Sequence, residues 1–378
     1  MVMNDKIKVL HIADKFGVRG SSVHGVSRLF SWWFPLFDKD RFEVDLIGLR
    51  HKSSASINLE EKGIGILNLG RKKYDPLTGI DIYKEVVSRK ADIIHLHGYG
   101  ASNFGRLASM LSECKIIVHE HFVDPAVPSY QRLADYVLRK HVDYGVAVSE
   151  SVKEFMVEDR YIPENKVEVI YNGAPLNDFR PKNQTSIEKE KEKWGIPEDF
   201  SVVGTVGRLD RQKGIRFFID AAADIKEKFK RVKFMVVGDG PLIDELREKA
   251  HSSKVDQDII FTGYQSDVAQ VQSVFDVQVF PSLWEGTPLT LFEAMSMKMP
   301  IVSTPVDGLG EVLRHGENAL LVPPKNSDKL AQAILRLLSN PNMSHELKTQ
   351  AHRDSQRFDI INTVNKIQDL YTKILYSN

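Results

Sequence analysis

The amino-acid sequence predicts an α/β fold with two doubly wound parallel-sheet domains, one in each half of the chain. In both halves, apolar runs of about five residues alternate with helical segments, and each run leads into a polar or glycine-rich turn. Continuous apolar strands that alternate with helices are typical of a parallel sheet covered on both faces. A length of 378 residues allows two domains, each with its own core.

The first half begins with a strand, a glycine-containing loop and a helix. The loop holds Gly17, Gly20 and Gly25, whose spacing does not match a dinucleotide fingerprint. A turn of this kind, between a first strand and a first helix, is where an α/β sheet usually binds a ligand. The pattern predicts a helix over 26–37 and strands at 6–14, 41–49, 91–98, 114–121, 144–150 and 167–173.

A change of composition separates the halves. Residues 182–199 form the most charged window, which predicts a linker running into a solvated helix, with a domain boundary near residue 178. We expect strands in the second half at 200–209, 232–240, 258–264, 277–282, 299–304 and 318–323. The last predicted helix, at about 361–376, carries its apolar residues on one face.

Composition excludes several classes of protein. The 51 basic residues balance the 51 acidic ones, which argues against nucleic acid as the main partner. The single cysteine, Cys114, excludes an intrachain disulfide framework and a cysteine-rich metal site. The first 16 residues lack the apolar region of a signal peptide, and no run of about 18 apolar residues occurs. We therefore expect a cytoplasmic location.

The stretch 280–313 is the most informative part of the sequence. Thr287 suits a helix N-cap and Pro288 suits the first helical position, so we expect a helix to begin there. The free N–H groups at such a helix start attract anions. Glu285 and Glu293 flank this start, and Gly286 lets a ligand approach the backbone closely. The alternative interpretation is a capped core helix with a surface glutamate at each end.

Three further features lie at the predicted carboxyl ends of strands in the second half. Arg208 and Lys213 lie five residues apart around a turn, and two cations beside a helix start would neutralise a diphosphate. Gly238 lies in a Gly-Asp-Gly-Pro turn that suits a planar base, and Tyr264 follows another strand. Open α/β sheets bind ligands at these ends. The alternative for the two cations is ordinary surface charge.

Histidines cluster in the first half, where eight of the twelve occur before residue 150. His95 and His97, like His119 and His121, are two residues apart at the ends of predicted strands, so each pair shares one face. A metal site is conceivable, but no acidic residue repeats the pattern. We expect no metal and interpret a histidine at the end of a strand as a polar group that holds a substrate.

The sequence resembles the family-four retaining glycosyltransferases, also described as group 1 glycosyl transferases, through six motifs in order. They are "VIYNGAPLNDFRP", "GTVGRLDRQKG", "VVGDGP", "FTGY", "PSLWEGTPLTLFEAMSMKMPIVSTPVDGLGEVL" and "NALLVPP". The likeness is strong over about residues 140–340 and looser before them. It implies the GT-B architecture, in which two Rossmann-like domains face each other across a cleft. The expected domains are 1–178, joined by a last helix at about 358–378, and 179–357.

The resemblance implies a role for individual residues. Arg208 and Lys213 match the pair that grips the diphosphate of a nucleotide-sugar donor. Glu285 matches the contact to the donor sugar, Glu293 the contact to the ribose, and Tyr264 a contact to the base. The remaining implied donor-binding residues are Gly20, Gly207, Gly238, Gly286, Thr287, Pro288 and Leu289.

The family's histidine that faces the donor sugar matches His121 rather than His119, because it follows the strand's very end. His97 matches a recurrent histidine after the preceding strand and is a poorer catalytic candidate. The sequence departs from the family at its first loop. This loop normally carries adjacent glycines, whereas the glycines between residues 17 and 25 are not adjacent. This departure predicts an unusual acceptor or a different loop conformation.

The resemblance implies a metal-independent, retaining transfer from a UDP-sugar, favoured over a GDP-sugar, to a hydroxyl acceptor. Surface glycan, glycolipid or other glycoconjugate synthesis is the expected context, with possible peripheral contact with the inner face of the membrane. Trp32, Trp33, Phe34 and Phe37 form either an apolar surface for acceptor or membrane or, as we expect, part of the core. Two alternatives stay open: a nucleotide-sugar epimerase of the same architecture, and a non-catalytic subunit that binds a nucleotide sugar.

Overall fold

A computed structural model describes residues 6–17 and 25–376 and divides them into two compact units. The first unit contains residues 6–17, 25–172 and 360–376, and the second contains 173–359. The boundaries predicted near residues 178 and 358 lie close to these. Each unit is built on one parallel sheet, so the predicted fold class is confirmed.

Seven parallel strands form the sheet of the first unit, in the order β3-β2-β1-β4-β5-β6-β7. They are β1 (Ile7–Ala13), β2 (Phe42–Gly48), β3 (Ile66–Asn68), β4 (Ile93–His97), β5 (Lys115–Glu120), β6 (Tyr144–Ala147) and β7 (Val167–Val169). The chain starts at the centre and winds outward in both directions, which makes the sheet doubly wound. The sequence predicted every one of these strands except β3, a short edge strand that is only partly buried.

Helices cover both faces of this sheet. One face carries α1 (Gly25–Trp33), α2 (Ser54–Glu61) and the distant α15 (Ile360–Tyr376), while the other carries α3 (Leu77–Arg89), α4 (Tyr99–Ser109), α5 (Ser129–Leu138) and α6 (Glu150–Glu158). The winding direction reverses after β3, and right-handed crossovers then place the later helices on the opposite face. Trp33 and Phe37 are buried, and Trp32 and Phe34 are partly buried, so the aromatic residues around α1 belong mainly to the core.

Six parallel strands form the sheet of the second unit, in the order β10-β9-β8-β11-β12-β13. They are β8 (Ser201–Val206), β9 (Val232–Val237), β10 (Ile259–Gly263), β11 (Val277–Phe280), β12 (Ile301–Ser303) and β13 (Leu320–Leu321). The helices are α7 (Gln184–Lys193), α8 (Ile215–Lys228), α9 (Ile243–Ser252), α10 (Val268–Gln272), α11 (Leu289–Ser296), α12 (Asp307–Val312), α13 (Ser327–Ser339) and α14 (Pro341–Ser355). Phe218, Phe234 and Ile334 are among its fully buried core residues.

The charged window after residue 182 contains the helix predicted there, α7, although one of its residues, Glu190, is buried. Asn183 caps its start, and the buried Glu190 accepts a hydrogen bond from Trp194 Nε1 at 2.6 Å. Among the residues that the structure describes, every helix is too short or too polar to cross a membrane.

Candidate functional site

The carboxyl ends of β8, β9 and β10 meet in the second unit. Gly207 donates its N–H to Val237 at 3.0 Å, and Gly238 donates to Gly263 at 3.0 Å. Gly238 has φ +132°, and a Cβ there would lie 2.0 Å from the carbonyl oxygen of Gly207, so this crossing requires glycine. Tyr264 follows Gly263 and is 41% exposed. Three of the predicted donor-binding residues therefore lie at adjacent strand ends.

The loop after β8 is held against the loop that follows β11. Gly214 has φ +61°, and a Cβ there would lie 2.0 Å from the carbonyl oxygen of Pro281. Leu283 donates its N–H to the carbonyl of Gln212 at 2.7 Å, which fixes the same contact. These backbone contacts bring the turn that carries Lys213 beside the segment that carries Glu285.

An ion pair joins two of the predicted catalytic residues. Lys213 Nζ donates to Glu285 Oε1 at 2.5 Å, and their side chains are 19% and 4% exposed. The Lys213 side chain also passes over Gly207, since a Cβ at that glycine would meet its Cε at 3.4 Å. The low exposure means that water screens this pair only weakly.

Three further residues fix the position of Glu285. Ser282 Oγ donates to Oε1 at 2.8 Å, and Gln212 Nε2 donates to Oε2 at 3.2 Å. The backbone N–H of Glu285 donates to Asp307 Oδ2 at 2.6 Å. Burial raises the pKa of Asp307 above its ordinary value, in opposition to that hydrogen bond. Sequence reasoning missed these three residues, although Gln212 directly precedes Lys213.

Arg208 is held by a carboxylate on its own loop. Its Nε donates to Asp210 Oδ2 at 2.5 Å, and its side chain is 31% exposed. Asp210 also caps the following turn, because its Oδ1 accepts the N–H of Lys213 at 3.3 Å. Both predicted cations are therefore oriented by neighbouring acids.

The helix α11 begins at Leu289, one residue later than predicted. Pro288 takes the cap position with an extended ψ of 131°, so the predicted placement of Thr287 at the N-cap and Pro288 inside the helix is wrong by one residue. Glu285 is 3% exposed and Glu293 is fully buried. The alternative interpretation, in which both glutamates lie on the surface, is therefore wrong.

Backbone packing positions Gly286 and Thr287 in front of α11. A Cβ at Gly308, in α12, would lie 2.0 Å from the carbonyl oxygen of Gly286 and 2.6 Å from Thr287 Cγ2. Gly286, Thr287 and Pro288 are all buried, as is Leu289. The segment that the sequence predicted to cradle a ligand is thus a tightly packed part of the second unit.

The predicted histidine, His121, belongs to the first unit. It follows β5, is partly buried, and lies with its Nε2 3.0 Å from His97 Nδ1. The strand pairs His11↔His95 and His97↔His119 place the histidine side chains on one face of the sheet. Gly20, the remaining predicted site residue, lies outside the described residues.

Comparisons with known proteins identify the class that this fold and site define. The family described as Glycosyl transferases group 1 matches residues 201–340, and Glycosyltransferase Family 4 matches residues 36–178. The chain is 26% identical to the UDP-Gal:alpha-D-GlcNAc-diphosphoundecaprenol alpha-1,3-galactosyltransferase of Escherichia coli, over 97% of each chain.

Solved structures show the same fold. A glycosyltransferase from Rickettsia africae superposes with a TM-score of 0.85 and 20% identity, over 99% of this chain and 100% of that one. The Anabaena HepE protein in complex with UDP superposes with a TM-score of 0.83 and 21% identity, over 97% and 100%. The chain has the GT-B fold. It belongs to the group 1, family 4 glycosyltransferases.

Proposed function

We propose that the protein is a retaining glycosyltransferase that moves a sugar from a UDP-sugar to a hydroxyl acceptor without a metal ion. The observation that carries the proposal is the weakly exposed Lys213–Glu285 pair in front of α11. It supplies a cation for a leaving diphosphate and a carboxylate for a sugar in one place. The E. coli relative is named for a UDP-sugar donor, and HepE structures contain UDP and UDP-glucose, which supports UDP as the nucleotide.

The diphosphate would bind to Arg208, Lys213 and the start of α11. Each charged hydrogen bond to phosphate contributes roughly 1.5–3 kcal/mol, and the helix start adds free N–H groups and a positive dipole end. Because Asp210 and Glu285 already hold the two cations, little reorganisation accompanies donor binding. Two oriented cations and a helix start would stabilise the leaving group electrostatically, which is the task of a divalent metal in other transferases.

The other residues of the second unit would hold the rest of the donor. We propose that Glu285 contacts the sugar hydroxyls and that the buried Glu293 contacts the ribose. Tyr264, which is partly exposed beside the strand ends, would contact the base. Gly207 and Gly238 would let the donor lie against bare backbone there.

His121 would polarise and orient the donor sugar, an assignment that rests on its position after β5. Retention would follow front-face attack: the bond from the sugar to the phosphate oxygen breaks, the acceptor oxygen bonds to the same face, and its proton passes to the leaving diphosphate. We expect His121→Ala to lower kcat strongly. His119→Ala should lower it less, because His119 is fully buried away from solvent. A larger loss of kcat in His119→Ala than in His121→Ala would instead assign the catalytic role to His119.

A lipid-linked acceptor is the form of the proposal that the first unit supports. Helices α3, α4 and α5 lie side by side and expose an apolar helix face. Its most prominent residues are Leu77, Ile80, Leu107, Leu133 and Val137, together with Leu111 in the turn after α4, all at least 47% exposed. Apart from the buried Arg106–Asp135 pair, residues 71–90, 99–113 and 129–140 contain nine lysines and arginines against four acidic residues. An apolar surface with a cationic surround fits an anionic lipid surface.

Vesicle binding tests the membrane contact. The protein should sediment with phosphatidylglycerol vesicles and much less with phosphatidylcholine vesicles, and Leu133→Ser/Val137→Ser should abolish the difference. Ile57→Ser is the matched control, since Ile57 is 44% exposed on α2 and lies on the opposite face of the sheet. If the double variant changes the oligomeric state and not vesicle binding, the apolar helix face contacts a second copy and the membrane proposal is wrong.

The purified protein with a panel of UDP- and GDP-sugars tests the reaction itself. We expect transfer or slow hydrolysis of a UDP-sugar in the presence of EDTA, and proton NMR of the product should show the anomeric configuration of the donor. Appearance of an epimeric nucleotide sugar would instead identify an epimerase. Binding without hydrolysis or transfer to any acceptor would identify a non-catalytic subunit.

A further inference from the structure

Five histidine rings and one tyrosine hydroxyl form a continuous row of hydrogen-bonding contacts inside the first unit, which we call the histidine wire. Its links are His119 Nδ1 to His95 Nε2 (3.0 Å), His95 Nδ1 to Tyr371 Oη (2.7 Å), Tyr371 Oη to His11 Nε2 (2.9 Å), His11 Nδ1 to His97 Nε2 (3.0 Å) and His97 Nδ1 to His121 Nε2 (3.0 Å). Residues from β1, β4, β5 and α15 take part. The mechanism proposed above uses only the last of them, His121.

The wire is buried and uncharged along most of its length. His11, His95, His97, His119 and Tyr371 are each at most 3% exposed. Burial lowers the pKa of His11 to about 3, holds the pKa of the other three histidines well below the usual value, and raises that of Tyr371. Each of these imidazole rings therefore carries one proton, with one nitrogen as donor and the other as acceptor.

Proton counting leaves only two arrangements. The hydroxyl of Tyr371 has one proton, so it donates to one histidine and accepts from the other. This choice sets the donor–acceptor direction of every other link, because an imidazole that accepts with one nitrogen must donate with the other. If Tyr371 donates to His11, all five histidines carry their proton on Nδ1. If it donates to His95, all five carry it on Nε2.

The far end of the wire decides between them. Among the described residues, His119 Nε2 is buried with no hydrogen-bond partner, and so is Trp33 Nε1. The two rings lie 5.6 Å apart, and the indole nitrogen can only donate. If the single proton of His119 were on Nε2, that N–H would be a second orphaned donor beside Trp33 Nε1, and orphaned buried N–H groups are rare. A bare lone pair on His119 Nε2 is therefore favoured, which is the arrangement with every proton on Nδ1.

A metal ion is a poorer explanation of the same cluster. His97, His119 and His121 have ligand atoms within 4.8 Å of one another. However, the rings of His119 and His121 are stacked at 4.3 Å and 16°, and those of His97 and His121 at 5.3 Å and 19°. Lone pairs lie in the ring planes, so nearly parallel rings do not direct them to a common point. The nitrogens between His97 and His121 are moreover already in contact with each other.

We propose that Tyr371 is a positioning residue that, through the histidine wire, holds the proton of His121 on Nδ1. The nitrogen of His121 that His97 does not use is then a hydrogen-bond donor. This extends the function proposed above, since a donor polarises a sugar or phosphate oxygen, whereas a bare nitrogen would repel it. The tautomer of a histidine is generally set by the partner of its other nitrogen. For His121 that partner is His97, whose own tautomer is set through Tyr371, two links further along the wire.

Nitrogen-15 NMR of the histidine-labelled protein tests the wire without any assay of activity. Two-bond nitrogen–proton correlations distinguish the Nδ1–H and Nε2–H tautomers, and single His→Gln variants assign the five signals. We expect all five as Nδ1–H in the native protein. Five Nε2–H signals, or a mixture along the wire, would overturn the inference. Displacement of these signals by one equivalent of zinc would show a metal site instead.

Tyr371→Phe tests the connection to His121. The variant removes the hydroxyl that joins the His119–His95 part of the wire to the His11–His97–His121 part, so the His121 signal should divide between both tautomers. The kcat should fall about tenfold, which corresponds to 1.36 kcal/mol, with an unchanged KM for the donor. Thr363→Val is the matched control, because it removes another buried hydrogen bond of α15, from Oγ1 to the carbonyl of Tyr171 at 3.1 Å, outside the wire. An unchanged His121 tautomer in Tyr371→Phe would refute the proposal. A changed tautomer with unchanged kcat would refute the catalytic role of His121 and leave the wire intact.

Discussion

Replacement of Lys213 by alanine separates its structural role from its catalytic one. In the structure its ammonium group donates to Glu285 at 2.5 Å, and the carboxylate is 4% exposed. Loss of a hydrogen bond between charged groups costs about 2 kcal/mol. Since the second unit spans 173–359, this lowers its Tm by about 4–8 °C. Removal of a preorganised donor to developing charge should lower kcat by a further factor of roughly 100–1000.

Two comparison variants make the result interpretable. Lys213→Ala/Glu285→Gln removes the buried charge that the single variant leaves behind, so its Tm should recover while its kcat stays low. Lys226→Ala removes a similar pair, from Nζ to Asp258 at 2.9 Å, outside the site, and it should retain native kcat. Differential scanning calorimetry and initial rates with saturating donor measure both quantities. A Lys213→Ala enzyme with reduced Tm and native kcat would refute the diphosphate assignment.

Three other predictions concern stability. The four buried histidines of the wire stay neutral in the folded protein, whereas histidines in the unfolded chain become protonated below about pH 6.5. The free energy of unfolding should therefore fall as pH falls from 7.5 to 5.5, by up to about 1.4 kcal/mol for each histidine. An unchanged thermal midpoint over this range would contradict the prediction. Gly238→Ala places a Cβ 2.0 Å from Gly207 O and should cost about 1–3 kcal/mol in urea unfolding, whereas Gly65→Ala, with open space around it, should be neutral. Arg160 is buried and paired with two carboxylates, those of Asp135 and Glu120. Asp135→Asn leaves its guanidinium with only one of them and should cost about 3–5 kcal/mol, and a loss below 1 kcal/mol would show that Arg160 and Glu120 rearrange.

The sequence predicted the two sheets and the strand-end positions of the site because apolar runs and glycine turns are local signals. It missed β3, which has only two apolar residues, one of them exposed. It located Lys213 and Glu285 separately but not their ion pair, since 72 residues separate them. Contacts of this kind depend on how strands are ordered in the sheet, which local patterns do not encode.

For the histidines, too, the sequence predicted the local arrangement but not the distant contact. Their spacing of two predicted a shared face, and the strand register confirms it. The sequence offered no reason to connect them with Tyr371, which is 276 residues after His95. A sequence signal for the connection would have been the pairing of a polar sheet face with the Tyr371 hydroxyl on a mainly apolar helix face.

The helix α15 belongs to the first unit, although the whole second unit precedes it in the chain. During synthesis, residues 173–359 form an uninterrupted segment that can fold as soon as it has emerged. The first unit must wait with one sheet face only partly covered, by α1 and α2, because Gln368 and Tyr371 reach Asp38 and His11 only after α15 has been made. The order of completion is therefore the reverse of the order of translation. The exposed histidine and aromatic face of the waiting first unit is where a chaperone would act.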